Sequence, residues 1–254
     1  MQKYYQLLSE PQVSTLGHST DFLARARESM AQEEARKQQC MVPLTEEEKA
    51  AFRPMIEPFS PTLIREVFNQ ITKPMGGGPV PTMVTIPTNP YKIISRGLSS
   101  FGYDITLRED VRVFTNIHST VIDPKNFDTA CLSEVTVKYD DNGHGRYAIL
   151  PPNSYMLGWS KEYFRMPRDV TGAFIGKSTY ARVGCIVNCT PAEAGWEGNL
   201  VIELGNLTNS PMRIYVDEGI AQALFFQGSE ECETSYADRG GKYQGQVGLT
   251  LAKV

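Results

Sequence analysis

Long apolar runs are missing from this chain. No stretch of about eighteen apolar residues occurs, so no membrane-crossing helix and no membrane partner are expected. An excess of positive charge is missing as well. Its 25 Lys and Arg stand against 29 Asp and Glu, a formal net charge of −4, which argues against a general nucleic-acid binder. Histidine is scarce (His18, His118 and His144), and none of the three sits in a His-x-Glu pair. The cysteines (Cys40, Cys131, Cys185, Cys189 and Cys232) are odd in number and scattered, with no Cys-x-x-Cys pair, which suits reduced thiols in a cytoplasm. The start, Met1-Gln2-Lys3-Tyr4-Tyr5-Gln6, lacks the apolar core of a secretory leader, so a cytoplasmic location is expected. Lys177-Ser178-Thr179 lacks the G-x-x-x-x-G-K spacing of a P-loop, which leaves ATP hydrolysis unsupported.

What is present is a chain of 254 residues, 41% hydrophobic, enough for one sizeable core with an appended segment. Residues 1–55 read as an N-terminal extension, partly helical. Over 20–39, Leu23, Ala24, Ala26, Met30, Ala31 and Ala35 sit among charges as a polar, weakly amphipathic helix. Ser60-Pro61 has the form of an N-cap with a first-turn proline, predicting a second helix through Leu63, Ile64, Val67, Phe68 and Ile71. Lys73-Pro74-Met75-Gly76-Gly77-Gly78-Pro79 then reads as a flexible loop. From Val84 onward the pattern changes to short strands separated by Asn, Asp, Gly and Pro: 146–150, 155–159, 172–175, 183–188, 200–204, 213–216 and 221–226. Short strands so closely spaced predict a mainly β domain over 56–254, a barrel or a sandwich, behind N-terminal helices.

Three segments carry the chemistry. Gly176-Lys177-Ser178-Thr179-Tyr180-Ala181-Arg182 places a Lys, hydroxyls and an Arg on one short loop, a set of donors suited to phosphate oxygens. Taken alone, a Lys-Ser-Thr triplet would be a solvated turn. Further on, Glu203 is the one carboxylate in Asn199-Leu200-Val201-Ile202-Glu203-Leu204, and a charge in a strand that otherwise reads as buried is rarely there for packing. The end of the chain, Tyr236-Ala237-Asp238-Arg239-Gly240-Gly241-Lys242-Tyr243-Gln244-Gly245-Gln246, is glycine-rich and full of polar tips. It reads as a lid, about 234–254, whose loss should spare the core.

Together with Gly195-Trp196-Glu197-Gly198 and Glu203-Leu204-Gly205-Asn206, these segments are similar to the dCTP deaminases of the trimeric dUTPase-like superfamily, in the bacterial form with a Gly-Lys-Ser-Thr-Tyr-Ala-Arg loop. The resemblance runs from about Ser60 to Val254. It includes Ser99-Ser100-Phe101-Gly102-Tyr103-Asp104, Phe114-Thr115-Asn116-Ile117-His118-Ser119, Asp123-Pro124-Lys125-Asn126-Phe127 and Tyr163-Phe164-Arg165-Met166-Pro167. It implies a distorted, jelly-roll-like β-barrel that assembles as a homotrimer with sites between subunits. The implied reaction is hydrolysis of dCTP to dUTP and ammonia, supplying dUMP for thymidylate synthesis. A bifunctional enzyme releasing dUMP, a dUTPase and a non-catalytic nucleotide-binding regulator are the alternatives on the same fold.

Deamination at C4 of cytosine needs an activated water, a proton for N3 and for the leaving ammonia, and stabilisation of a tetrahedral intermediate. The His-x-Glu and Pro-Cys-x-x-Cys motifs of zinc deaminases are absent, so no zinc is expected and a carboxylate has to move the protons. The resemblance places that role on Glu203, with Ser178 and Arg182 positioning water and holding the carboxylate. Lys177, Ser178, Thr179 and Arg182 are expected at the triphosphate, with Mg²⁺ bridging phosphates and not caged by protein. By resemblance the binding set extends to Tyr180, Ala181, Val201, Ile202, Gln222, Tyr236 and Gln246, with Lys242 added by its charge and its place in the tail, and dTTP stands as a potential inhibitor. Classical trimeric dUTPases place an Asp and a Tyr where this chain has Glu193 and Trp196, a pattern that fits release of dUTP.

Overall fold

Alternation decides which way each side chain points in the C-terminal half of the chain. Along one strand Leu200, Ile202 and Leu204 are buried while Val201 and Glu203, on the opposite face, stay partly exposed. The computed structural model describes residues 53–68, 70–75, 82–87, 90–115, 121–140 and 145–253. The chain divides into two units, Met1–Arg53 and Pro54–Val254, and the described architecture belongs to the second. The helix expected over 20–39 lies outside the described residues.

The largest sheet runs β13 (Cys185–Asn188), β14 (Glu197–Asn206), β11 (Tyr155–Arg165), β7 (Arg112–Phe114), β8 (Leu132–Glu134), with β1 (Ile56–Glu57) beside β11. A second sheet is ordered β12 (Val170–Gly176), β16 (Gly219–Gln227), β6 (Gly102–Thr106), β5 (Tyr91–Leu98), β2 (Ile64–Val67). A third, smaller ladder joins β15 (Met212–Val216), β10 (Arg146–Leu150) and β9 (Lys138–Tyr139), and β3 (Gln70–Met75) pairs with β4 (Thr82–Pro87) as a hairpin. Among the described residues one short helix, α1 (Ser178–Ala181), stands between these strands, apart from a 3₁₀ turn at Thr129–Cys131. The mainly β expectation is met. Among the described residues the ladders stay separate and do not close into one ring of strands.

The core lies where the faces of these sheets meet. Ile105, Leu107, Leu150, Met156, Phe164, Ile202, Leu204, Ile214 and Ile220 are fully inaccessible. Each such side chain contributes roughly 1.5–3 kcal/mol of burial. β11 changes register against β14 between Trp159 and Tyr163. The Ser160 hydroxyl at that bulge donates to Glu162 O at 2.7 Å and accepts the Leu200 amide at 2.8 Å, while Asn199 Nδ2 donates to the carbonyls of Ser160 (3.2 Å) and Glu162 (3.1 Å).

One expectation is corrected. The helix anticipated through Leu63, Ile64, Val67, Phe68 and Ile71 is instead β2 followed by β3, with Ile64 opposite Arg96 and Val67 opposite Tyr91 of β5. Ile64, Val67 and Ile71 are β-branched and suit a pleated surface, and pairing with β5 and β4 overrode a capping signal that was only local. Lys73, Pro74 and Met75, anticipated in a loop, finish β3; the glycines after them lie outside the described residues.

Candidate active site

Glu203 sits on the partly exposed face of β14, opposite Leu157 of β11 on one side and Asn188 of β13 on the other. Its Oε2 accepts a hydrogen bond from Asn188 Nδ2 at 3.0 Å. Burial pushes the carboxyl above the ordinary carboxylate range, and the Asn188 donor, which favours the charged form, pulls it part of the way back. Burial also raises the neighbouring Cys189 thiol, with the Glu203 charge adding to the effect, and lifts the Cys185 thiol to about 11. Neither sulfur is a thiolate at neutral pH.

Glu203 lines a cavity of about 620 Å³, a volume in the range of small-ligand sites. Val201, Tyr236, Lys242 and Gln246 line the same cavity, so five of the anticipated site residues converge there. Phe114, Phe127, Leu157 and Leu200 give it an apolar wall, and Thr190, Glu193 and Trp196 a mixed rim. Tyr155 packs edge-on to Phe114, with ring centroids 5.5 Å apart, and Phe114 meets Phe127 at 6.0 Å.

The tail is laid along β14, filling the side that β13 leaves open after Asn188. Gly245 N donates to Glu197 O at 2.9 Å and Asn199 N to Gln246 O at 3.0 Å. Gln246 Nε2 donates to Asn199 O at 2.6 Å, and Gly248 N to Asn199 Oδ1 at 3.2 Å. The indole of Trp196, almost fully buried, donates to Tyr243 O at 3.0 Å. Arg168 grips the tail's root, reaching Asp238 Oδ2 at 2.6 Å, Ser235 Oγ at 3.2 Å and the carbonyls of Cys232 and Glu233 at 3.0 and 3.2 Å. Arg239 is ion-paired with Glu193. At Gly241 a Cβ would lie 2.1 Å from the Tyr236 ring, so only glycine lets the chain fold back over that tyrosine. In this structure the tail anticipated as a lid is packed against β14 and Trp196.

The other anticipated residues lie elsewhere. Ser178, Thr179, Ala181 and Arg182 are exposed on and just after α1, and none of them lines the Glu203 cavity. Tyr180 points inward and is 3% exposed; its hydroxyl accepts the Tyr215 amide at 2.9 Å, and burial raises its phenol. Ile202 is wholly buried, so its side chain is core and only its backbone can face a ligand. Lys177 and Gln222 both turn toward Asp104 of β6: Lys177 Nζ lies 2.5 Å from Asp104 Oδ2, and Gln222 Nε2 donates to Asp104 Oδ1 at 3.2 Å. Asp104 carries the same sequence signal as Glu203, a lone carboxylate in an otherwise buried strand, and sequence reasoning missed it as a site residue. Asn188 and the aromatic wall carried no comparable signal, because strand partners far apart in sequence cannot be read from spacing.

A mainly β domain holding a strand carboxylate in a cavity of this size, with a cluster of exposed hydroxyl and cationic donors on a nearby turn, is a small-ligand β-domain. Known proteins narrow the class. A family model described as dCTP deaminase-like matches residues 84–228. A dCTP deaminase from Laribacter hongkongensis is 48% identical over 204 residues, covering 80% of this chain and 93% of its own. One from Albidiferax ferrireducens is 50% identical over 199 residues, covering 78% and 90%. A solved 2′-deoxycytidine 5′-triphosphate deaminase from Agrobacterium tumefaciens aligns with 52% of this chain and 39% of its own, at 16% identity and a TM-score of 0.41. The chain belongs to the dCTP deaminase-like family.

Proposed function

We propose that the protein is an enzyme that hydrolyses dCTP to dUTP and ammonia. The observation that carries this reading is Glu203: a carboxylate raised by burial, oriented by Asn188, and set in a nucleotide-sized cavity of a chain that is about half identical to dCTP deaminases. Glu203 takes a proton from water as its oxygen attacks C4 of the cytosine, and delivers protons to N3 and to the departing ammonia. A carboxyl raised toward neutrality suits both halves of that traffic. The apolar wall keeps bulk water from the ring, and the open edge of β14 between the tail bridge at Gly198 and the β13 pair at Glu203 offers backbone groups to the base. Gln246 Oε1, buried and without a partner among the described residues, is an acceptor for a donor group of the nucleotide.

Ser178, Thr179 and Arg182 reach the triphosphate from a second copy of the chain, in a homotrimer. Two facts support this assembly: these donors lie outside the Glu203 cavity, and exposed apolar side chains accompany them, with Ile175, Val183, Ile186 and Leu207 each more than half exposed. Mg²⁺ arrives on the triphosphate as its counter-ion and asks no cluster of acidic ligands from the protein. dTTP, sharing the sugar and triphosphate, competes for the same pocket. Glu193 and Trp196, in place of the Asp and Tyr of classical trimeric dUTPases, support dUTP and not dUMP as the product released. Among the described residues no helix is long and apolar enough to cross a membrane.

Incubation of the protein with dCTP and Mg²⁺, resolving nucleotides by chromatography and assaying ammonia, tests the reading. Equimolar dUTP and ammonia are expected. Pyrophosphate with dUMP would make the enzyme bifunctional, and no ammonia would overturn the assignment.

A further inference from the structure

The loop lysine that would be read first as a phosphate ligand is already occupied inside the chain. Lys177 Nζ lies 2.5 Å from Asp104 Oδ2 and 3.0 Å from Ser95 Oγ, and Ser95 Oγ in turn donates to Asp104 Oδ2 at 3.0 Å. Gln222 Nε2 completes the set, donating to Asp104 Oδ1 at 3.2 Å and to Ser99 Oγ at 3.1 Å. The side chains of Lys177 and Asp104 are 13% and 3% exposed. An ammonium has three donors, and two of them are spent here on partners within the fold. The path of the lysine is built for this contact. At Gly219 a Cβ would fall 1.8 Å from Ser95 O and 3.2 Å from Lys177 Cδ, so a side chain there would crowd the channel through which the lysine stem passes.

Lys177 also sets the turn that follows it. Its amide donates to Ile220 O at 3.2 Å, and its carbonyl accepts from Tyr180 N at 3.0 Å and Ala181 N at 3.1 Å, forming the first turn of α1. The same residue is therefore fixed at both ends, by its backbone to α1 and by its ammonium to the middle of the β6–β16 ladder. We infer that Asp104 is a positioning residue that acts through Lys177. The buried pair, with Ser95 and Gln222, anchors the exposed 178–182 turn to the β6–β16 ladder through Lys177. Directional bonds to a buried carboxylate fix position more tightly than packing alone, and a displacement of about 1 Å at reacting groups costs roughly 10²-fold in rate.

This inference rests on the reading that Ser178 and Arg182 serve dCTP deamination, so its test carries one readout that needs no activity. Three variants are compared: Asp104→Asn, Lys177→Met, and the double variant, which leaves no unpaired buried charge. Each single change should lower kcat by roughly 10²-fold at saturating dCTP. The double variant should be no worse than the poorer single one, because all three lose one shared anchor. Hydrogen exchange at the Tyr180 and Ala181 amides should accelerate in all three while the β11–β14 ladder stays protected. A rise in KM confined to Lys177→Met, with Asp104→Asn kinetically silent, would make Lys177 a phosphate ligand and overturn the anchor. Unchanged exchange on α1 would also overturn it. So would a double variant that fails to fold, since the pair would then hold the whole domain and not the turn. A wild-type protein that releases no ammonia from dCTP sinks the functional reading alone, and the exchange data still judge the anchor.

Discussion

The cavity around Glu203 and the turn after β12 carry the two groups of residues proposed for the site, and they are finished to different degrees. The cavity is walled by its own chain: β14 supplies Glu203 and Val201, and the tail folds back to supply Tyr236, Lys242 and Gln246. The 178–182 turn leaves its hydroxyls and guanidinium exposed, beside apolar side chains that a lone chain would leave in water. What separates them is where the partners come from. Glu203 finds Asn188 one strand away, whereas the Ser178 hydroxyl and the Arg182 guanidinium have no side-chain partner among the described residues. The proposed trimer would supply that partner from a second chain.

The sharpest blow to this comparison falls on the finished half. Glu203→Gln keeps the shape and one acceptor for Asn188 but removes the proton carrier, and should lower turnover by about 10²–10⁴-fold while dCTP still binds in calorimetry. Activity within tenfold of the parent would strip Glu203 of its role. The unfinished half is tested by mixing. Ser178→Ala and Glu203→Gln proteins, each nearly inactive, should regain measurable activity when co-refolded, because some sites then combine an intact cavity with an intact turn. No regain would place both residues in one chain's site. A monomer by light scattering would remove the second chain altogether.

Legibility in the sequence followed the same divide. Strand 146–150 matches β10 to the residue because it is a short apolar run bounded by Gly145 and by Pro151-Pro152, whereas 155–159 proved to be the first half of an eleven-residue β11. Its continuation through Ser160, Lys161 and Glu162 is a polar bulge that no period-2 pattern reveals. Glu203 was legible because one charge broke an apolar run. Lys177, Gln222 and Tyr180 were legible as members of a motif but not in their direction: chain spacing cannot say whether a side chain turns to a ligand or into its own sheet, and all three turn inward. The 60–71 segment failed for a related reason, since its capping signal was local and the strand pairing that overrode it was not.

The tail offers a smaller but separable effect. Ending the chain after Glu233 removes seven cavity-lining residues, Tyr236, Lys242 and Gln246 among them, and leaves the buried Trp196 indole without its Tyr243 acceptor. An orphaned buried donor costs about 1–3 kcal/mol, and each kcal/mol is worth about 2–4 °C in a domain of this size, so the melting temperature should fall by about 5 °C. kcat/KM for dCTP should fall roughly tenfold or more, since one lost hydrogen bond of about 1.4 kcal/mol already accounts for a decade. A melt that does not move would mean that the tail sits on the domain without stabilising it. An unchanged kcat/KM would remove it from the site.

The smallest expected change probes the electrostatics of the finished half. Burial raises the Glu203 carboxyl and Asn188 opposes that rise by donating to the charged form. The base must be ionised to accept a proton from water, so activity should fall on the acid side through an apparent pKa above the ordinary carboxylate value. Asn188→Ala removes the donor and disfavours the anion, so the acid limb should move to higher pH. The Asn188 donor binds the carboxylate more strongly than the neutral acid, which is why its loss disfavours ionisation. On the alkaline plateau kcat should be almost unchanged, while on the limb it should drop severalfold. This pattern separates an electrostatic role from a merely structural one, which would lower kcat by the same factor at every pH. A limb that shifts toward acid, or stays still, would mean that Asn188 does not set the proton affinity of Glu203 and that burial alone does.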